Sequence, residues 1–437
     1  MSAGEGIRRG LERHASSWVD LRRQLHRHPE VGWEELWTTN RIVDALEEFG
    51  LEPRFGRVMH SETPRLGVPS SADLEAAVET ARAAGVSEER LASMAGGYTG
   101  ASAEIIGASA GPTRLFRFDI DALPIQELET NEHRPFSEGF ASRTPGRMHA
   151  CGHDVHTAIG LGFAQMVAEL RPALKGRVRV LFQPAEEGVR GAHSMVGCDL
   201  LDEVDEFYGL HVGVKLQHSG SLVCGWRGLL ATTKWDIDIT GRNAHAGINP
   251  EDGADALLTA AQIALSLASL PGRLPPGTRA HAGILHAGEA RNAVAARARM
   301  KIEARALDEE TLSMVEERVT MVFEAAARQF GTEVSAEMVG RASAADSDLQ
   351  LAERVQRAAS AMPGWSSVER QRAGYSASDD AATWMNRVQA QGGQATFIGL
   401  GTPVGTGHHS PTFEIDESVI AQGVELLVRT VLEGSET

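Results

Sequence analysis

The sequence predicts an α/β fold: a mostly parallel sheet flanked by helices, with a small antiparallel α/β domain inserted into it. Two observations predict it. Segments 177–182 (RVRVLF) and 206–213 are short, apolar-rich strands between helical stretches, the pattern of a parallel sheet covered on both faces. Segments 234–240 and 299–306 instead alternate apolar and polar residues, the pattern of antiparallel strands with one wet face.

Segment 6–28 carries Arg, Leu and Trp at mixed three-to-four spacing and reads as a helix. A second helix over 39–49 stops at Gly50, a plausible C-terminal cap. Residues 57–100 form an excursion rimmed by Pro64, Pro69 and Gly96-Gly97, with little strand character and a helix over 71–85. Segment 114–120 (RLFRFDI) reads as a strand, and 156–174 as a helix running out of a dense motif. The texture changes near 226. In 234–240, Trp235, Ile237 and Ile239 share one face, and Asp236, Asp238 and Thr240 the other. With helices over 254–270 and 308–330, the order over 226–342 is β-α-β-β-α-β, a split-βαβ, ferredoxin-like unit. The expected organisation is one domain in two parts, 1–225 and 343–437, with 226–342 inserted.

Composition narrows the function classes. The chain has 437 residues, enough for two domains. Apolar residues make up 42% and charged residues 23%, which excludes a disordered or collagen-like chain. With 42 Lys+Arg against 59 Asp+Glu, the net charge is −17, so a nucleic-acid partner is not expected. Three cysteines are too few for a disulfide scaffold. No apolar run of about eighteen residues exists, so no membrane span is expected. MSAGEGIRRG leads into no apolar run, so the expectation is a cytoplasmic protein without a secretory signal.

The chemistry concentrates in a few segments. Residues 149–156 (HACGHDVH) hold three imidazoles, a thiol and a carboxylate. Cys151 and His153 could face one metal from a turn before a helix, with Asp154 holding an imidazole from behind. A polar loop with a buried cysteine is the plainer reading. Glu186 and Glu187 stand in QPAEEG at the end of a predicted buried strand. Adjacent residues of an extended chain point to different sides. One carboxylate can then ligate a metal while the other faces water as general base. A solvated acidic turn is the commoner fate of such a pair, but strand C-termini are where α/β sheets place ligands. His211 ends the strand FYGL, and His409 lies in GHHSP. Cys151, His153, Glu187, His211 and His409 make five candidate ligands, which suit two divalent ions sharing a bridge. In the inserted unit, His245 could polarise a carbonyl or stabilise an oxyanion. Asn292 sits in a turn, and Arg305 on a strand could grip a carboxylate or be a surface charge.

These segments together resemble the M20 metallopeptidase family, in the amidohydrolase branch that includes bacterial aminoacylases and plant auxin-conjugate hydrolases. The pattern stands as RFDIDALP at 117–124, HACGHDVH at 149–156, QPAEEG at 183–188 and HHSP at 408–411, spread over nearly the whole chain. The resemblance implies a zinc-peptidase-like sheet with a lid and dimerisation domain. It implies two divalent ions, Mn²⁺ or Zn²⁺ with Co²⁺ or Ni²⁺ as alternatives. Cys151 would bridge them, and His153, Glu187, His211 and His409 would complete the set. Glu186 would be the general base and His245 the oxyanion stabiliser, commonly reaching the partner subunit's site. Asn292 and Arg305 would bind substrate. A homodimer or larger assembly is implied, and a second related subunit is possible.

Two positions depart from the branch's pattern: its SED stands here as Ser378-Asp379-Asp380, and its RNVVP as Arg291-Asn292-Ala293-Val294-Ala295. The expected activity is hydrolysis of the amide of an aromatic N-acyl amino acid, such as p-aminobenzoyl-glutamate or an indole-acetyl-amino acid. Two alternatives stand beside it. One is an aromatic aminohydrolase releasing ammonia from an activated aniline at the same metals. The other is a non-catalytic partner subunit, which would be expected to have lost Glu186 or a ligand.

Overall fold

In the computed structural model, residues 3–433 are described. The main sheet has eight strands. Its centre is four parallel strands in the spatial order Lys175–Gln183, Ser109–Asp119, Glu206–Val212 and Gln394–Leu400. Ala101–Ile106 and then Arg54–Phe55 extend one edge antiparallel. Ser221–Val223 joins the other edge antiparallel, followed by Ser367–Glu369 in parallel. Because the central strands run together, Asp119, Gln183, His211 and Leu400 come out along one edge. That edge is where a parallel sheet presents its ligands.

Helices cover both faces. Helix His153–Glu169 lies on one face between Ala3–Arg27 and Ser418–Leu432. It sits close to the sheet because Gly160 leaves room: a Cβ there would come within 2.6 Å of the Phe118 ring. The opposite face packs Trp226, Trp384, Phe207 and Phe397 into a second core. The excursion carries helices Ser71–Ala83 and Glu88–Ser93, which close a small core of Leu36, Ala81, Val86, Leu91 and Met94.

A separate sheet of four antiparallel strands follows the order Glu333–Ala342, Ala231–Thr240, Arg297–Ala306, Arg279–Ala287. Helices Ala256–Ser269 and Glu309–Phe330 cover one of its faces, burying Trp235, Ile237, Ile239, Met300 and Ile302. Lys234, Asp236 and Asp238 lie on the other face, as their alternation requires. Trp226–Leu229 pairs instead with Ala345–Asp346 and Arg372–Ala373. One expected boundary is corrected. The helix read as 156–174 begins at His153 and ends at Glu169. Gly152, at φ 94°, makes the turn that starts it early, and Pro172 falls in a short 3-10 turn beyond its end. Among the described residues, no helix is long and apolar enough to cross a membrane.

Candidate metal centre

Four segments meet at the C-terminal edge of the main sheet. Glycine is needed at 152, because the backbone there is left-handed and a Cβ would come within 2.7 Å of Val212 Cγ2. That turn brings Cys151 and His153 to the same side. Cys151 Sγ lies 3.4 Å from His211 Nε2. Two triads form around the thiol: Cys151, His153 and His211, and Cys151, Glu187 and His409. The potential ligand atoms within each triad lie within 4.8 Å of one another. His409 has a left-handed backbone, φ 59°, and its N–H donates to Ala150 O at 2.8 Å. This pins the 408–411 turn onto the cysteine loop, with His409 Nε2 3.3 Å from Glu187 Oε1.

The ring orientations follow from their partners. Carboxylates and carbonyls only accept, so His153 Nδ1 donates to Asp121 at 3.2 Å and His211 Nδ1 to Val212 O at 2.9 Å. Each ring then presents Nε2 towards the thiol side, where on His211 it meets Cys151 Sγ and could turn to a cation instead. His153 Nε2 is buried and has no hydrogen-bond partner. His156 is different: its Nδ1 donates to Asp119 at 2.5 Å, and its Nε2 accepts the Val212 N–H at 3.1 Å. With both nitrogens engaged, it serves as a support. The orphaned His153 nitrogen and the thiol shared by two triads make a donor set that fits a pair of divalent cations.

Asp121 organises the floor. Besides His153, it accepts the backbone N–H of Glu186 at 3.0 Å and of Glu187 at 2.9 Å. Glu35 accepts the Ala185 N–H of the same turn at 2.8 Å. Behind it, Arg117 is fully buried and meets Asp119 at 2.7 Å, Asp380 at 2.6 Å and Asp379 at 3.3 Å. Burial, then the Asp379, Glu187 and Asp380 carboxylates, push Glu186 well above the usual carboxylate range. Burial would raise Glu187 too, but the neighbouring His409 and His153 imidazoles hold it lower. Burial and the Glu187 charge raise the Cys151 thiol, so a cation is what would make it a thiolate.

Cys151, Glu186, Glu187, His211 and His409 line a cavity of about 340 Å³, and Arg305 lines it from the four-stranded sheet. His245 and Asn292 are exposed and do not line it. They sit together on paired turns, where the Ala246 N–H donates to Asn292 O at 3.0 Å. Sequence reasoning quoted Arg117, Asp119 and Asp121 within the RFDIDALP motif but gave them no role, and it did not single out Lys234. The signal for these three was present: charged residues alternate at 117, 119 and 121 where a mostly buried strand ends at Asp119.

Comparison with known proteins places the chain among related sequences and folds. Residues 115–433 match the model of peptidase family M20/M25/M40. The chain is 38% identical to one of the subunits of p-aminobenzoyl-glutamate hydrolase from Escherichia coli, over 94% of each chain. It is 39% identical to indole-3-acetyl-aspartic acid hydrolase of Enterobacter agglomerans, again over 94% of each. The structure of the aminobenzoyl-glutamate utilization protein of Klebsiella pneumoniae superposes with a TM-score of 0.84 at 34% identity, covering 98% of both chains. A dinuclear metal binding M20 peptidase of Bacillus subtilis matches with a TM-score of 0.65 at 26% identity, covering 98% of this chain and 99% of that one. With these matches, the chain belongs to peptidase family M20/M25/M40, as a metal-dependent amidohydrolase.

Proposed function

We propose that the protein cleaves the amide of an aromatic N-acyl amino acid, such as p-aminobenzoyl-glutamate or an indole-acetyl-amino acid. The observation that carries this is the pair of ligand triads sharing Cys151, with Glu186 beside them in one cavity. Cys151, His153, Glu187, His211 and His409 hold two divalent ions, Mn²⁺ or Zn²⁺, with Co²⁺ or Ni²⁺ able to substitute. Such a pair supplies Lewis-acid polarisation of the scissile carbonyl and a nucleophile near neutral pH.

Glu186 takes a proton from the attacking water and returns it to the leaving nitrogen. Asp121 holds the turn that aims both glutamates, and Arg305 binds a substrate carboxylate. The unit 226–342, inserted between 1–225 and 343–437, acts as lid and pairing surface. His245 and Asn292 lie outside their own chain's cavity, which supports a homodimer or larger assembly in which they reach a neighbouring subunit's site. The three cysteines are unpaired, which suits a reducing, cytoplasmic setting.

Mass spectrometry of products tests the reading. The panel is p-aminobenzoyl-glutamate, indole-acetyl-aspartate, simple N-acyl amino acids and activated anilines, with Mn²⁺- and Zn²⁺-loaded protein. Release of a free amino acid is expected, reduced roughly 10²–10⁴-fold by Glu186→Gln. Unchanged turnover in that variant removes Glu186 from the mechanism. Ammonia from an aniline moves the reaction to aromatic deamination, and no product with either metal favours a required second subunit or a non-catalytic role.

A further inference from the structure

The wet face of the four-stranded sheet looks onto the metal cavity and onto a larger cleft of about 890 Å³ beside it. Two cations at the middle of that face each have an acid of their own. Lys301 pairs with Asp236 at 3.0 Å, and Arg299 with Asp238 at 3.0 Å. Lys234 and Arg305 differ, because they share one. Lys234 Nζ donates to Glu303 Oε2 at 2.8 Å, while Arg305 donates to Oε1 at 3.0 Å and Oε2 at 3.2 Å.

The register produces this cluster. Glu303 lies directly across from Lys234 on the neighbouring strand, and Arg305 is two residues further along the same face. Burial would raise Glu303, but Lys234 and Arg305 hold it down at about 2. Two cations against one carboxylate leave one positive charge in surplus. All three side chains keep a quarter to a third of their surface open, at 25%, 31% and 26% for Lys234, Glu303 and Arg305. Lys234 and Arg305 both line the metal cavity, and Lys234 also lines the cleft.

We propose that Lys234 is a specificity-determining residue that binds a carboxylate of the substrate together with Arg305, while Glu303 positions the two cationic heads. This rests on the amide-hydrolase reading above and adds the requirement that the substrate carry a carboxylate on the side facing the sheet. A single carboxylate balances the surplus charge, and two charge-assisted donors hold it in one orientation over the metals.

The test uses Mn²⁺-loaded full-length protein with p-aminobenzoyl-glutamate, its α-amide, its γ-amide and its diamide. In the wild type, amidating the recognised carboxylate is expected to lower kcat/KM roughly 10–100-fold, chiefly through KM. Lys234→Gln should lose a similar factor on the diacid and bring the acid-to-amide ratio close to one. Lys234→Arg should keep most of the ratio, and Lys301→Gln all of it. Wild-type protein that cleaves acid and diamide equally well overturns the proposal, as does Lys234→Gln with the wild-type ratio. Should Lys234→Gln not fold, Lys234→Met carries the same comparison. If none of the four is cleaved, p-aminobenzoyl-glutamate is removed as the substrate of this subunit alone, separately from the carboxylate question. Calorimetry then decides the carboxylate question: tighter binding of the diacid than the diamide, lost in Lys234→Gln, supports the proposal, and equal binding overturns it.

Discussion

Arg117 lies under the metal cavity and Arg305 lies above it, and the two are held in opposite ways. Arg117 is fully buried and surrounded by Asp119, Asp379 and Asp380. Arg305 stays 26% exposed and shares one glutamate with Lys234. A buried charge is costly unless several partners satisfy it, so the floor is built with more acceptors than its cation needs. An exposed pair is worth little to stability and leaves donors free. The floor therefore presets ligand geometry, while the roof keeps capacity for an incoming anion.

The largest effect expected from breaking this contrast is at Arg117. Arg117→Met should destabilise the protein by about 3–5 kcal/mol in urea unfolding, because buried Asp379 and Asp380 lose their cation and Asp119 keeps only its imidazole partners. A loss under about 1 kcal/mol means the floor is not organised by this charge. Asp121→Asn keeps the shape but sets an amide against two backbone donors and an imidazole N–H. Its affinity for Mn²⁺ should fall roughly 10–100-fold in competition with a chelator, and native affinity means the support is dispensable.

A third prediction concerns acid. Glu417 anchors Arg23 and Arg134 and lies 3.3 Å from the buried Arg22. Burial opposes its ionisation, yet Arg23, Arg22 and Arg134 hold it at about 2, below its ordinary value of 4.5. A depressed carboxylate contributes stability that is present above its unfolded value. That contribution is lost as pH falls from about 4.5 towards 2, and amounts to at most about 3 kcal/mol. Melting curves across this window should be steeper in pH for the wild type than for Glu417→Gln. Parallel curves assign the acid sensitivity elsewhere.

The smallest effect belongs to the roof. Glu303→Gln should change stability by less than about 1 kcal/mol, since all three side chains of its cluster are partly exposed. A loss as large as that of Arg117→Met would erase the distinction between roof and floor.

Much of this was legible in residue order alone. HACGHDVH and QPAEEG sit in consecutive stretches, and each places its donors within a few residues of a strand end or helix start. Trp235, Ile237 and Ile239 announced the antiparallel sheet by period alone. Arg117 was harder to see, because two of its three acidic partners, Asp379 and Asp380, stand more than 260 residues further on. Lys234 was harder still: its pairing with Glu303 depends on the register of two strands that other helix and strand elements separate in the chain.

Local residue order determined the element types, the β-α-β-β-α-β order of the second sheet and the segments that carry the candidate donors, because hydrophobic period and ligand spacing are properties of short windows. Tertiary structure alone decided which imidazole nitrogens stay bare. His153 and His156 are three residues apart, yet Asp121 leaves one ring with a free nitrogen while Asp119 and the Val212 N–H occupy both of the other. Tertiary structure also decided that Lys234 and Arg305 share one acid while their neighbours do not. Those distinctions depend on burial and strand register, which arise only when distant segments pack against one another.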